Sequence, residues 1–452
     1  MPPRLSCCPR KSADRLAGSA ARRVEHPQSQ AHDGGSIAFP QSVGGRVRRS
    51  CRRPPEAAPQ RWTGVNDISI RMSALVTDYD RLAVMQICLE QQLTQPAVFE
   101  LVVRELPPRR KFLVAAGLEQ ALQFLKSLSF SEAENAWLRH QGRFSAQLLD
   151  YAHGLRFDGD VDAMPEGTVF FAGEPIIRVT APLPVAQLVE SRLLNLVHFE
   201  TAIASSAARI VLAARGRRLL DLGLRRAHGS EAALLAARAA YLAGFDGSAT
   251  AEASRRFGIP ALSPLFLRSD AIGVGTLSSL VEAPSTAPGR IVDTDDVLTH
   301  RAGLVDAATA LRCKGIVLDG VQIDGPDPSA RAWSLRARLD AAGLGDLAIR
   351  VSGDFDETHI GALAAEGAPI DEFGVCGWLP EDGDATRINA SYEKRVTASD
   401  AAAGRGRALL QPCMRAGKRV GRTPTLLESR RYHAEQMAQL SETLREAVGE
   451  SR

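Results

Sequence analysis

Charged, hydroxyl and glycine residues recur directly after short apolar runs in the second half of the chain. Guanidinium groups and bare backbone N–H groups bind anionic oxygens, and carboxylates hold metal ions or hydroxyl groups. The set is therefore a candidate site for a polar, anionic small molecule. Its members are Arg225, Arg226, Asp293, Asp319, Ser352, Gly353, Asp354, Gly374 and Gly377.

The apolar runs before these residues have the length and spacing of buried parallel strands. Helix patterns lie between several of them, at Ala232–Leu242 with Ser230 as a plausible N-cap and at Ala330–Ala342 ended by Gly343. Strands and helices in this alternation predict a βα barrel or an open doubly wound sheet. In a barrel the polar residues converge on one rim, where the active sites of such folds form. The runs are Leu219–Leu224, Ile259–Leu262, Arg290–Val292, Ile316–Leu318, Ile349–Val351 and Phe373–Val375.

The preceding region predicts a mixed α/β domain. A strand pattern at Val98–Val103 is followed by a helix pattern with Leu118, Leu122 and Leu125 on one face. Two further strands are expected within Val169–Val179, and helical character resumes at Leu188–Ala214. We place the domains at residues 72–190 (mixed α/β), 191–395 (α/β barrel) and 396–452. The last segment is expected to end in one long surface or packing helix, Thr425–Val448.

Residues 1–71 differ in composition from the remainder. They hold 13 Lys and Arg against 5 Asp and Glu, are rich in Pro, Ser and Gly, and lack a sustained apolar period. Such a segment cannot bury enough surface to offset the entropy of ordering, so we expect a disordered basic extension, with Met72 as the true start. A transit peptide or a basic arm is the functional alternative.

Composition narrows the class of protein. The formal charge of +3 includes the basic extension, so the body is mildly acidic and the charge gives no reason to expect a nucleic-acid partner. No uninterrupted apolar stretch of about 18 residues is present, so we expect no membrane span. The seven cysteines lack the paired spacing of zinc sites or disulfide frameworks, which fits a reducing cytoplasm.

Read in order, segments from about residue 75 to 395 resemble the nicotinate phosphoribosyltransferase family. No single match is specific, but their shared order over more than three hundred residues is hard to obtain otherwise. The matching segments are Phe112–Glu119 (FLVAAGLE), Gly173–Arg178 (GEPIIR), Leu193–Asn195, Ala236–Phe245 (AARAAYLAGF), Val292–Thr294 (VDT), Ser352–Glu357 (SGDFDE) and Pro369–Val375 (PIDEFGV).

The resemblance implies an irregular parallel α/β barrel with an N-terminal mixed α/β domain, in a homodimer. It implies a reaction between nicotinate and phosphoribosyl pyrophosphate that gives nicotinate mononucleotide and pyrophosphate, in the salvage of NAD. Mg²⁺ would assist, and ATP hydrolysis is commonly coupled to turnover in the family. Because the ribosyl carbon becomes cationic as pyrophosphate leaves, the site must stabilise a growing negative charge.

The resemblance also implies roles for individual residues. Asp319 and Asp354 would be catalytic, with Asp319 matching the Asp of the family's Arg-Leu-Asp-Ser-Gly segment and contacting ribose or metal. Ser352 and Gly353 would hold phosphate with Asp354. The remaining substrate contacts would be Arg225, Arg226, Asp293, Gly374, Gly377 and Tyr79. The simpler explanation for each Asp is a helix cap, and for Arg226 a surface ion pair.

Four positions depart from the family pattern. The ring-stacking aromatic is replaced by Asp80 or displaced to Tyr79, and an acid there would repel a nicotinate carboxylate. Leu267 stands where the family has the histidine that ATP phosphorylates, so ATP coupling through this position is excluded chemically. Val317 replaces an arginine suited to binding a carboxylate, and Cys376 replaces the second glycine of a phosphate loop.

These departures leave three functions open. The chain is a nicotinate phosphoribosyltransferase with a degraded, altered or ATP-independent site, a non-catalytic homologue that acts as a structural or regulatory partner, or a phosphoribosyltransferase for another base. His198 and His228 are rival phosphate acceptors in principle, although a lone His at a helix or strand end is more often structural. Cys376 is a weaker candidate for a nucleophile.

Overall fold

The computed structural model describes residues 73–107, 110–261, 319–323, 325–377, 388–395 and 409–445, residue 309, and the backbone of 265–267 and 290–293. The chain divides into two units, Met1–Asp67 and Ile68–Arg452, and every described residue belongs to the second. The predicted extension at residues 1–71 lies outside the described residues.

Twelve α-helices are found in the described ranges, together with a 3₁₀ turn at Gly223–Arg225. The helices are α1 (Tyr79–Glu90), α2 (Leu118–Lys126), α3 (Glu132–His140), α4 (Ala146–His153), α5 (Leu183–Leu188), α6 (Glu190–Ala214), α7 (Ser230–Ala243), α8 (Ala251–Phe257), α9 (Pro328–Ala341), α10 (Glu357–Ala365), α11 (Leu426–Gln439) and α12 (Glu442–Arg445).

Fifteen strands accompany them in the same ranges. They are β1 (Pro96–Val103), β2 (Leu113–Val114), β3 (Asp160–Ala163), β4 (Val169–Phe170), β5 (Pro175–Pro182), β6 (Arg218–Asp221), β7 (Gly247–Ser248), β8 (Leu265–Leu267), β9 (Arg290–Asp293), β10 (Gly320–Ile323), β11 (Ala348–Gly353), β12 (Glu372–Val375), β13 (Ala390–Lys394), β14 (Gln411–Arg415) and β15 (Lys418–Arg419).

An antiparallel sheet of six strands has the order β13-β1-β5-β3-β14-β15. Its strand β1 pairs with β5 on one side and with the edge strand β13 on the other. Strands from residues 96–182 thus combine with strands from residues 390–419, which are far apart in the sequence. The domain boundaries placed after residues 190 and 395 remain a prediction.

A second sheet of seven strands is parallel and has the order β7-β6-β12-β11-β10-β9-β8. Strands that follow one another in the chain lie side by side from β8 to β12, and β12 then pairs with β6. Because all seven strands run the same way, their carboxyl ends lie at one edge of the sheet. The prediction of an α/β fold with a parallel sheet is confirmed.

The helices cover one face of the parallel sheet. Ile349, Val351 and Phe373 project from β11 and β12 into a core that also contains Leu335 of α9 and Ile360 of α10. Side chains alternate between the two faces of a strand, so the residues between these project from the opposite face. That opposite face is polar at several positions, which matters for the site below.

Helix α6 is the central helix of the fold. By length and composition it is the one described helix that could cross a membrane, but 78% of its apolar window is buried inside the protein. Seventeen of its residues are buried, among them Ile203, Ala207 and Ile210, which pack against the parallel sheet's core. Its apolar character is therefore explained by burial within a folded chain.

Two element predictions need correction, and a third is untested. The strand expected at residues 316–318 lies outside the described residues, and the strand present nearby is β10 at Gly320–Ile323. The run Ile259–Leu262 gives only a single bridge, from Ala261 to Ser248. The expected C-terminal helix is interrupted at Leu440, whose backbone is extended, and the Arg445 side chain donates hydrogen bonds to the carbonyls of Ala438 and Leu440 at that break.

Candidate functional site

The carboxyl edge of the parallel sheet brings several of the predicted site residues together. Ser352 at the end of β11 is in register with Gly374 of β12, and Gly353 is in register with Val375. Val375 is in turn opposite Asp221 at the end of β6. The turn after β11 and the loop after β6 therefore flank the same strand, β12.

An ion pair joins those two loops. Arg226 donates through Nη1 to Oδ2 of Asp354, and the two side chains are 57% and 58% exposed. Gly377 lies against the same carboxylate, since a Cβ added to this glycine would lie 2.9 Å from Asp354 Oδ1. Both charged groups are accessible to a ligand, and an exposed pair of this kind adds little to stability. Arg225, in the 3₁₀ turn, is also exposed.

Asp221 is a site candidate that the sequence analysis missed. Its carboxylate is buried and accepts hydrogen bonds from the Ser248 hydroxyl at 2.6 Å and from the backbone N–H of Gly223 at 3.1 Å. It thereby fixes the start of the loop that carries Arg226. The apolar run Leu219–Leu224 concealed it, although a strand-end acid just before a basic pair is a signal that could have found it.

The glycine-rich turn after β12 differs from a phosphate loop. A Cβ on Gly374 would lie 2.4 Å from Leu222 Cδ1 and 3.3 Å from Ser352 Cβ, so close packing at this edge favours a glycine. The N–H of Cys376 donates to the carbonyl of Gly353 at 2.9 Å. That donor is therefore already used within the protein, and Ser352 with its neighbours is the better candidate for binding phosphate.

Asp319 is not at this edge, and the prediction that it joins Ser352 and Gly374 is wrong. It precedes β10, is exposed, and its carbonyl accepts a hydrogen bond from Ala348 N–H at 3.1 Å, where β11 begins. Four strand residues separate it from the carboxyl edge, or about 13 Å. The error arose because the apolar run before Asp319 was taken for the strand, whereas β10 carries the polar Gln322 in its middle.

The observed bounds of β10 also bear on which residue corresponds to the family's arginine. The order Gln322-Ile323-Asp324-Gly325 fits the Arg-Leu-Asp-Ser-Gly segment that the resemblance implies, with the acid directly after the strand. By its place in the strand, Gln322 is an alternative to Val317 as the counterpart of the arginine. Its side-chain amide donates to the Ser352 hydroxyl at 3.0 Å. Val317 and Asp324 lie outside the described residues.

Asp293 and Leu267 are described by their backbones alone. Asp293 ends β9 and is in register with Gln322 of β10. Leu267 ends β8 and is in register with Val292. The strand end that the sequence assigned to Asp293 is therefore confirmed, while the roles of both residues stay predictions.

Tyr79 lies in the half of the molecule that contains the antiparallel sheet. It is the first residue of α1 and is 43% exposed. Its ring stacks on Phe144 at a centroid distance of 5.7 Å, and the Arg143 guanidinium lies 5.6 Å from its centroid. These contacts do not include the residues at the carboxyl edge, so the predicted substrate contact of Tyr79 has no support within this chain.

A cavity of about 400 Å³ lies next to this tyrosine. Three carboxylates line it, those of Asp78, Asp80 and Glu190, with one guanidinium, that of Arg81. Arg81 is bound to Asp80 and Glu190, each at 2.7 Å. The hydrogen bond from Arg81 lowers the pKa of Asp80. An anionic ring would be repelled here, as the sequence predicted for Asp80.

His198 and His228, the alternative phosphate acceptors, have structural surroundings that do not require a catalytic role. His198 lines the same cavity, and its Nε2 accepts a hydrogen bond from the backbone N–H of Ile388 at 3.2 Å. Burial lowers the pKa of His198, so the ring is neutral at physiological pH. His228 is exposed in the loop after β6. Among the described residues no group of three His, Cys, Asp or Glu side chains could hold a metal ion.

Comparison with known proteins agrees with this architecture. Residues 75–198 match the family model of the nicotinate phosphoribosyltransferase (NAPRTase) N-terminal domain. The nicotinate phosphoribosyltransferase pncB2 of Mycobacterium tuberculosis is 39% identical over 326 residues, which cover 71% of this chain and 70% of that protein. The crystal structure of human nicotinic acid phosphoribosyltransferase has a TM-score of 0.68 at 22% identity, and covers 83% of this chain and 96% of the human chain.

A second solved structure has the same fold. It is the nicotinate-nucleotide pyrophosphorylase of Pyrococcus furiosus, with a TM-score of 0.64 at 21% identity, covering 84% of this chain and 98% of that chain. Identities this low establish the fold alone, whereas the identity and coverage of the mycobacterial relative establish the family. This chain belongs to the nicotinate phosphoribosyltransferase family.

Proposed function

We propose that this chain joins nicotinate to phosphoribosyl pyrophosphate, giving nicotinate mononucleotide and pyrophosphate in NAD salvage. The observation that carries the proposal is the meeting of the Ser352–Asp354 turn with Arg226 at the carboxyl edge of a parallel sheet. This is the edge at which parallel βα folds bind their ligands. The mycobacterial relative named for this activity supports the choice of substrates.

The chemistry assigns a task to each of these groups. The pyridine nitrogen bonds to the ribosyl C1 while the bond from C1 to the pyrophosphate oxygen breaks, and its electron pair leaves with pyrophosphate. Arg226 would exchange Asp354 for the leaving group, because a diphosphate offers a guanidinium more charge than one carboxylate does. The hydroxyl of Ser352 and the turn at Gly353 would hold the phosphoribosyl part at the edge.

Mg²⁺ would arrive bound to the diphosphate. Mg²⁺ is commonly held by one or two carboxylates together with substrate phosphates, and it keeps several waters. The exposed carboxylate of Asp354 is a described group at the edge that fits this pattern, once Arg226 has turned to the diphosphate. When bound, the ion would neutralise charge on the leaving pyrophosphate.

Turnover would not be coupled to ATP through a phosphorylated histidine. The position at the end of β8 is Leu267, which has no nitrogen to accept a phosphoryl group. Activity should therefore be the same with and without ATP. A site that retains a phosphate-binding edge but lacks this coupling fits a slower, ATP-independent enzyme better than a fully degraded one.

The architecture around the site completes the proposal. The parallel sheet would close into an irregular barrel, since Ala261 bridges to β7 at one end of the sheet and β8 at the other end begins four residues later. The protein would be a homodimer, as the resemblance to the family implies, in a reducing cytoplasm, as the cysteine spacing indicates. A partner molecule could then bring Tyr79 to the edge, which the described contacts within one chain do not do.

Turnover measurements test the proposal, with Arg226→Met as the variant. Breaking one charge-assisted contact with the diphosphate should lower kcat/KM for phosphoribosyl pyrophosphate roughly ten- to a hundredfold. The Tm should stay the same because the pair is exposed. Arg256→Met is the matched control, since Arg256 is 55% exposed and forms an ion pair with Glu252 on α8. The control should keep full activity.

Other outcomes would support the alternatives. Binding of phosphoribosyl pyrophosphate without consumption of nicotinate would favour another acceptor base. No binding of phosphoribosyl pyrophosphate, measured by isothermal titration with Mg²⁺ present, would favour a non-catalytic partner. Equal kcat/KM values for Arg226→Met and wild type would show that phosphoribosyl pyrophosphate does not bind through Arg226 at the carboxyl edge.

A further inference from the structure

The face of the parallel sheet opposite to the helices, here called the inner face, is polar along its centre. We define it by Gln322, Arg350, Ser352, Glu372 and Gly374, which alternate with core residues along β10, β11 and β12. The hydrogen bond from Gln322 to Ser352 confirms that these side chains share a face. Polar groups on a sheet face that solvent barely reaches need partners.

Arg350 is the buried cation of the inner face. The residue is 6% exposed, and its Nη2 pairs with Glu372, itself 3% exposed. Its other two nitrogens, Nε and Nη1, are buried and have no hydrogen-bond partner among the described residues. Leaving buried donors without partners costs free energy, which an acceptor placed between them would restore.

The charges around Arg350 are close to balanced, so its unpartnered donors are what favour an anion. Glu372 pairs with Arg350 and also lies 3.3 Å from Nη1 of Arg218, whose side chain is 56% exposed. Asp319, which attracts Arg350, is exposed as well, so solvent screens both of these outer charges. Among the described residues, the buried nitrogens Nε and Nη1 of Arg350 therefore remain as donors for an anionic acceptor.

The distance of Arg350 from the carboxyl edge of the sheet suits contact with the pyridine ring of the substrate. Arg350 is in register with Gln322, the alternative counterpart of the family's arginine. It is two residues below Ser352 on the same face, about 6.6 Å nearer the amino edge. If the ribosyl group is held at the edge by Ser352, the far side of a bound pyridine ring would face Arg350.

We propose that Arg350 binds the carboxylate of the pyridine substrate on the inner face, and so selects an acidic base over its neutral amide. The inference rests on the proposed function, because it needs the ribosyl group to be held at the carboxyl edge. Arg350 on β11 would supply the guanidinium that an arginine at the position of Gln322 on β10 would otherwise provide. Arg350 is a specificity residue, and Glu372 orients it.

The test must separate binding from folding, because removing Arg350 alone leaves Glu372 buried with only the exposed Arg218 as a partner. The informative variant is therefore the neutral pair Arg350→Met with Glu372→Gln. Isothermal titration with nicotinate and with nicotinamide should show a roughly ten- to a hundredfold loss for nicotinate and little change for nicotinamide. The affinity for phosphoribosyl pyrophosphate should be unchanged.

Two single variants complete the test. Glu372→Gln alone keeps an oxygen that can orient Arg350 but removes the competing negative charge, so its nicotinate affinity should equal or exceed that of wild type. Arg350→Lys keeps the charge and should retain part of the discrimination between acid and amide. Equal nicotinate affinities in wild type and the neutral pair, or an equal loss for all three ligands, would overturn the inference.

Turnover by the wild-type protein distinguishes a failure of the Arg350 inference from a failure of the proposed function. A wild type that converts nicotinate while the neutral pair converts it equally well would refute the role of Arg350 and leave the proposed function standing. A wild type that neither binds nor converts nicotinate would refute both.

Discussion

At the residue scale, the most completely buried charges form a network away from the proposed site. Arg238 of α7 donates to Glu166 at 2.5 Å and to Glu200 at 3.0 Å, and all three side chains are below 10% exposure. Burial raises the pKa of Glu200 to about 8. Burial acts in the same direction on Glu166, but Arg238 outweighs it and lowers the pKa of that carboxyl. The network therefore holds one ionised and one protonated acid at neutral pH.

This difference predicts how stability depends on pH. In the unfolded chain Glu200 loses its proton near its ordinary pKa of 4.5, whereas in the folded protein it keeps the proton until about pH 8. The contribution of Glu200 to stability is thus complete below pH 4.5 and falls as the pH rises through 8. Glu200→Gln should remove that loss, so its Tm relative to wild type should increase from pH 5 to pH 8.

The free-energy change across this range should be on the order of 3 kcal/mol. Thermal unfolding of both proteins at several pH values measures it, and Glu435→Gln, at an exposed residue of α11, is the control. A constant difference between the Tm of Glu200→Gln and that of wild type would show that Glu200 keeps an ordinary pKa.

Breaking the network should have a larger effect than changing its protonation. Arg238→Met would leave Glu166 ionised and buried without its partner, at a cost of about 3–5 kcal/mol. Chemical denaturation should show this as a lower midpoint. A loss below about 1 kcal/mol would mean that water or other groups replace the guanidinium.

The same scale shows what the sequence could and could not predict about the site. Ser352, Gly353 and Asp354 were found because they follow a strand, and their position at the carboxyl edge needs only the alternation of strands and helices. Asp221, at the end of β6, was missed because the apolar run Leu219–Leu224 continues past it, and Arg350 was missed because it lies inside the apolar pattern of β11. Their roles depend on partners from other strands, which spacing along one segment does not reveal.

At the element scale, α11 fixes the carboxyl end of α7. Arg430 donates to the backbone carbonyls of Tyr241 at 2.5 Å, Gly244 at 2.9 Å and Phe245, and its guanidinium lies 4.6 Å from the centroid of the Tyr241 ring. The last carbonyls of a helix lack partners within it, and a cation there is favoured by the helix dipole. The C-terminal segment therefore stabilises a helix some 190 residues earlier in the chain.

Arg430→Met should lower the free energy of unfolding by about 1.5–3 kcal/mol, because several charge-assisted hydrogen bonds are lost together. Arg431→Met is the matched control, since Arg431 is the next residue on α11 and is exposed. Urea denaturation compares the two. A similar small change in both variants would show that α11 docks through its apolar contacts and not through Arg430.

Element prediction succeeded where local signals were strong. Helix α9 was expected at Ala330–Ala342 and is found at Pro328–Ala341, with Gly343 beyond it in a left-handed conformation at φ +70. Strand β10 was not predicted because Gly320–Ile323 has a weaker apolar pattern than the run before it. Strands β7 and β8 were not predicted, since two or three residues are too few for a periodic signal.

At the scale of the whole molecule, the basic segment at residues 1–71 precedes every helix and strand that the structure describes. The three sheets and the twelve helices of the described ranges all begin after residue 72 and belong to one compact unit. A protein that starts at Met72 should therefore have the same Tm and the same kcat/KM as the full chain. Calorimetry and turnover assays of the two proteins test this, and a lower Tm for the shorter chain would show that the basic segment contributes to the fold.

The central claim is that phosphoribosyl pyrophosphate binds at the carboxyl edge of the parallel sheet. A crystal structure of the protein with phosphoribosyl pyrophosphate and Mg²⁺ tests it most directly. We expect density for the diphosphate within hydrogen-bond distance of Arg226 and the Ser352–Asp354 turn, with the ion pair between Arg226 and Asp354 opened. Density in the acidic cavity beside Asp80, or at the amino edge beside Asp319, would contradict it.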